Sequence, residues 1–136
     1  MTRLIAALLC FAAGAAAHAV LQIPTFRSTA GVEIRVLADE ATIAGREVEV
    51  AEITFPAGAD SGDHRHGVTE LFYVLSGELE HSVNGGAVIL KPGMVGAVRP
   101  PDAVRHRAPN GPVKALVIWA PGGEAARITS RWQRKE

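Results

Sequence analysis

The segment Gly62-Asp63-His64-Arg65-His66-Gly67-Val68-Thr69-Glu70 concentrates the residue types that do metal and proton chemistry. Two imidazoles stand one residue apart and a carboxylate follows at the next even spacing. On extended backbone, residues two apart point to the same side, so His64, His66 and Glu70 would share one face. Two readings fit: a solvated polar turn, or ligands gathered for a metal. A closed site needs a further ligand from a neighbouring strand. Beyond the first 19 residues, the other histidines are His81 and His106. His81 lies in Glu78-Leu79-Glu80-His81-Ser82, where alternate residues are polar, which predicts an exposed side chain. His106 follows the Pro100-Pro101 turn and opens a short segment ending in Asn110, a good place for a barrel strand.

The elements that must hold these residues read as short strands. Val32–Val36 and Glu47–Ile53 alternate with period two, as half-buried strands do. Leu71–Leu75 is an apolar, β-prone run closed by Ser76-Gly77. Leu79–Val83 leads into Asn84-Gly85, a pair suited to the left-handed conformations of a tight hairpin. Ala87–Leu90, Val95–Val98 and Val113–Trp119 follow, each bounded by Pro, Gly or Asn. Seven or eight strands with turn signals every eight to twelve residues predict an all-β antiparallel sandwich or barrel. Only Glu124 to Arg134 could carry a helical turn or two.

The chain has 136 residues, with 14 basic and 14 acidic side chains and 48% hydrophobic residues. That length suits one domain, and the apolar share suffices for a core. Balanced charge gives no overall field for nucleic acid. Arg127, Arg131, Arg134 and Lys135, with Glu124 and Glu136 among them, read as a solvated terminus. Residues 1–19 have a charged start at Arg3, an apolar run from Leu4 to Ala13, and the small-x-small exit Ala17-His18-Ala19. This is the pattern of a secretory signal peptide, too short in its apolar run for a membrane span of about 20 residues. Cleavage after Ala19 would leave a single domain over 20–136 beginning at Val20, periplasmic or secreted, with no stable membrane association. Cys10, the one cysteine, would leave with the signal, and Leu9 before it argues against lipidation.

The spacing Gly58-x5-His64-x-His66-x3-Glu70-x6-Gly77 resembles the full first motif of the cupin family. Pro101-Asp102-Ala103-Val104-Arg105-His106 followed by Asn110 resembles the latter half of its second motif, with Ala103 in place of the turn glycine and Gly93 two residues too far before Pro101. The resemblance implies a jelly-roll β-barrel. It also implies that His64, His66, Glu70 and His106 hold one divalent metal. Three imidazoles and one carboxylate suit iron, manganese, nickel, copper or zinc, and leave positions open on an octahedral ion. The resemblance includes relatives of quercetin dioxygenases, which makes a metal-dependent oxygenase acting on a small organic molecule the leading expectation. Glu70 would then act as ligand or proton acceptor. An isomerase or epimerase, a non-catalytic metal- or small-molecule-binding module or sensor, and a purely structural barrel are the alternatives. A homodimer through outer strands is a further expectation from the family.

Around the site, alternation sends Phe72 and Val74 inward with Glu70, and Leu71, Tyr73 and Leu75 outward. Phe72 and Trp119 read as core. Arg99, Arg105 and Arg107 read as surface residues.

Overall fold

The computed structural model describes residues 23–135; the expected signal peptide and its cleavage site lie outside the described residues. Eleven strands and two short helices follow one another: β1 (Thr25–Arg27), β2 (Glu33–Ala38), α1 (Glu40–Ile43), β3 (Glu49–Phe55), β4 (His64–Arg65), β5 (Thr69–Ser76), β6 (Leu79–Val83), β7 (Gly86–Leu90), β8 (Val95–Val98), β9 (Ala103–Arg107), β10 (Val113–Ala120), α2 (Glu124–Thr129) and β11 (Gln133–Lys135). They form two antiparallel sheets, ordered β11-β1-β2-β3-β10-β5-β8 and β4-β9-β6-β7. The all-β jelly-roll expectation holds.

Strand patterning accounts for the core. Every second residue of β3 is buried, and the same holds along β10 from Val113 to Trp119. Their inward side chains, Ala51, Ile53, Phe55, Ala115, Val117 and Trp119, join Phe72 and Val74 of β5 in one apolar cluster. Tyr73 and Leu75 face out, as the alternation requires. The β6–β7 hairpin turns at Asn84-Gly85, both at positive φ, with Val83 paired to Gly86. That is the geometry the dipeptide predicts.

The structure corrects three local readings. A short helix, α1, stands where none was expected; Asp39 and Thr42 form a reciprocal capping box that starts it. His106 does not open a strand reaching Asn110: it lies inside β9, which ends at Arg107. Most important for the site, residues 64–70 are not one extended segment. His64 lies on β4 in the four-stranded sheet, and Glu70 lies on β5 in the seven-stranded one. The chain bends through Gly67-Val68 and crosses between the sheets. The side chains therefore meet across the sandwich, not by alternation along a single strand.

Candidate metal centre

All four residues singled out by spacing come together. The Nε2 atoms of His64 and His66 are 3.1 Å apart. His66 Nε2 lies 3.1 Å from Glu70 Oε2, and His106 Nε2 lies 3.7 Å from Glu70 Oε1. Ligands adjacent around an ion at about 2.1 Å sit roughly 3 Å from one another, so these separations fit a shared ion. The atoms are not drawn into a finished cage. Among the described residues, no group of three or more His, Cys, Asp or Glu side chains forms a ready-made metal-binding set.

Each side chain is positioned from a different element. Glu70 leaves β5 paired with Trp119 of β10, and the indole Nε1–H donates to Glu70 Oε2 at 2.8 Å. Trp119 is core, as expected, and also orients this carboxylate. The β9 strand brings in His106, whose ring packs on Phe72 with centroids 4.3 Å apart. His64 Nδ1 is 3.0 Å from the Gly62 carbonyl, which leaves Nε2 to face the site. His66 lies just beyond β4, with Nδ1 2.7 Å from Glu124 Oε1.

Two expectations fail here. Glu124 is not part of a solvated terminus: it is 4% exposed and reaches the centre from the start of α2. Arg127 pairs with it through Nε and Nη2. Nothing in the local sequence marks Glu124, since its partner His66 is 58 residues away. His81 is not a surface residue either; it is 4% exposed, opposite His106 in the β6–β9 register. The rings stack at 5.1 Å between centroids. Glu78, Glu80 and Ser82 stand on the outward parity, whereas His81 shares the parity of fully buried Leu79. Its polar neighbours suggested exposure, but strict alternation puts the ring inside. Arg105 and Arg107, in contrast, stand on the outward face of β9 and pair with Asp60 and Glu80. Arg99 is exposed. The surface reading holds for all three.

Burial controls the electrostatics. Glu70 is pushed up to about 8, because desolvation of its carboxylate outweighs the indole hydrogen bond. Burial lowers His66 and takes His106 well below the usual imidazole range, with the other histidines adding repulsion. For Glu124, burial acts upward but the hydrogen bonds from Arg127 and His66 outweigh it, and its pKa falls. Burial thus favours the neutral forms of His66 and His106 and keeps Glu70 protonated near neutral pH. Glu70 Oε1 and His106 Nε2 are buried and have no hydrogen-bond partner, although they face each other.

The centre opens into a cavity of about 400 Å³. Ile34, Ile53, Phe55, Phe72, Ile128 and Trp132 form the apolar part of its wall, and Ser28, Asp60, Ser61 and Arg127 add polar groups beside the four candidate ligands.

With this geometry in place, the family is shown directly: the cupin domain family matches residues 51–120, just over half of the 136-residue chain. The protein is a cupin. Among curated proteins, none matches the sequence. Solved structures with the same fold include KdgF from Halomonas sp., at 17% identity and TM-score 0.64, covering 74% of this chain and 88% of that one. An RmlC-like cupin from Shewanella frigidimarina has 22% identity and TM-score 0.64, covering 74% of this chain and 86% of its own. A protein described as a predicted oxalate decarboxylase, from Thermotoga maritima, has 23% identity and TM-score 0.64, covering 74% and 93%. These likenesses establish the jelly-roll fold and leave the activity to be argued from the site.

Proposed function

We propose that this cupin binds one divalent first-row transition metal through His64, His66, Glu70 and His106, and acts on a small, largely apolar organic molecule. Oxygenase chemistry is the reaction class we favour. The observation that carries the metal reading is the orphaned pair, Glu70 Oε1 and His106 Nε2, facing each other 3.7 Å apart without a hydrogen bond. Buried polar atoms left unpaired are costly, and two that converge from opposite sheets suit a third body between them. The donor set of imidazoles and one carboxylate suits iron, manganese, nickel, copper or zinc.

A bound ion of this kind supplies Lewis acidity and open positions for water, dioxygen or a chelating substrate. The chain's own residues do the rest. Trp119 fixes one oxygen of Glu70, so the free oxygen faces His106. Phe72 and Phe55 pack beside the His106 ring and limit its rotation. The apolar part of the wall offers contact to an apolar body. Glu70, holding a proton up to about pH 8 when metal-free, must release it to become a ligand. It is also the residue placed to accept a proton from a bound substrate.

The oxygenase class is supported by the first-motif resemblance and the apolar part of the cavity wall. Residues 1–19 support export, with a mature chain beginning at Val20 in the periplasm or medium. N-terminal sequencing of the exported protein tests that reading; a full-length cytoplasmic product refutes it. Metal analysis of the natively purified protein tests the site, with near-stoichiometric transition metal expected. Oxygen uptake by the iron-, manganese-, nickel- or copper-loaded protein with small aromatic compounds then tests the reaction. Thermal stabilisation by a compound without product would instead assign a binding module.

A further inference from the structure

The residues matched to the family end at 120, yet the contact that orients His66 comes from beyond them. Neutral imidazole can carry its proton on either nitrogen, and only the nitrogen without it can bind a metal. His66 Nδ1 faces Glu124 Oε1 at 2.7 Å, and Nε2 faces Glu70 and His64. Arg127 donates to both oxygens of Glu124, from Nε to Oε2 at 3.0 Å and from Nη2 to Oε1. A carboxylate engaged this way acts only as an acceptor. It therefore requires the proton of His66 on Nδ1 and leaves the Nε2 lone pair pointed into the centre.

The backbone that carries Glu124 is itself held. Glu49 of β3, 4% exposed, accepts from the amides of Gly123 at 3.2 Å and Ala125 at 2.8 Å with one oxygen. Thr129 closes α2 from within by donating to the Ala125 carbonyl at 2.8 Å. So the support runs from a core strand, through the start of α2, to the far side of a ligand imidazole. Glu49, Glu124 and Arg127 all lie outside the matched segment.

We propose that Glu124 is a positioning residue: held by Arg127 and Glu49, it fixes the tautomer and ring orientation of His66 and so presets the metal-facing nitrogen. Its consequence for affinity rests on the metal reading above; its consequence for the tautomer does not. Partners of this kind typically change metal affinity by about 10–100-fold when removed.

The test uses nitrogen-15 NMR of the histidine rings in the metal-free protein, together with zinc(II) titration against a competing chelator. In the wild type, His66 is expected to carry its proton on Nδ1; a proton found on Nε2 overturns the proposal without any variant. Glu124→Leu should shift the tautomer toward Nε2–H and weaken zinc binding by about 10–100-fold. Glu124→Gln keeps an acceptor oxygen and should restore the wild-type tautomer and bring affinity to within a few-fold. If Glu124→Leu keeps both the Nδ1–H tautomer and wild-type affinity, Glu124 does not position His66. If it does not fold, the wild-type and Gln spectra decide. If even the wild type binds no zinc, the metal reading fails, while the tautomer comparison still decides the role of Glu124.

Discussion

The two flanks of the centre are held by different physics. On one flank, His66 and Glu70 each have an outer partner: Glu124 against one ring nitrogen, and the Trp119 indole against one carboxylate oxygen. On the other, His106 and His81 stack on each other, and His106 Nε2 and both His81 nitrogens have no hydrogen bond. The backbone at Ala97 near His81 offsets part of its burial without a hydrogen bond of normal geometry. The first flank is set by directional bonds, the second by ring packing. A hydrogen-bonded ligand has one preferred orientation before any metal arrives, whereas a packed ring keeps its orientation only as well as its neighbours fit. The bonded flank should therefore respond to changes of polarity, and the packed flank to changes of volume.

The largest effect should come from removing a ligand of either kind. His106→Ala, on the packed flank, and His64→Ala, on the other side, should each abolish stoichiometric metal in the purified protein. Full metal content in either variant breaks the four-ligand reading. Next comes the pH response of the metal-free protein. Glu70 is raised from 4.5 to about 8 in the fold, so the folded state holds its proton more tightly than the unfolded chain. Its contribution is fully present below the unfolded value and is lost as pH rises through about 8. Below about pH 6.5 the buried His66, His81 and His106, whose pKa values are lowered, oppose that trend. Chemical unfolding of the metal-free wild type should thus show stability falling from about pH 6.5 to pH 9, by at most about 2 kcal/mol. Glu70→Gln should remove that slope. Metal should reverse the trend in the wild type, because its affinity rises as the carboxyl loses its proton.

A smaller effect is expected for Trp119→Phe, which keeps most of the ring but deletes the donor to Glu70. Loss of about 1–3 kcal/mol follows from leaving that oxygen unpaired, read as a shift in the denaturation midpoint of the metal-free protein. The smallest change belongs to the packed flank. His81→Leu replaces two unpartnered nitrogens with an apolar group of similar size, so stability should stay within about 1 kcal/mol or rise. Zinc affinity should hold within a few-fold. A large loss in either measurement would mean that His81 has a polar role, and the contrast between flanks would fall.

Much of this was legible in the chain. Alternation placed the main strands, and the Asn84-Gly85 turn came out as its residue types require, because period-two burial and left-handed turns are local properties. Motif spacing selected His64, His66, Glu70 and His106, which the fold then brought together. Partners set by tertiary packing were not legible. Glu124 sits among charges that look solvated, and only the docking of α2 buries it. His81 stands among polar residues that suggested exposure, but on β6 it shares the parity of buried Leu79 and faces inward. Strands β1 and β11 have three residues each and are set by tertiary pairing: β1 lies between β2 and β11, and β11 forms the sheet edge. No 3-residue segment carries a period strong enough to read.

Gly96 gives the packed flank one further consequence. A Cβ at that position would meet His81 Nε2 and Leu90 Cδ1 at 2.8 Å. The imidazole occupies the space that a side chain on β8 would need, so positions 81 and 96 share one allotment of volume across two sheets. Enlarging residue 96 should push the ring against His106, reaching a candidate ligand from the opposite wall of the barrel. Shrinking residue 81 in the same chain should relieve it. In evolutionary terms the pair is a single unit: a cupin of this type that gains a side chain at the position of Gly96 should also have lost the imidazole at the position of His81.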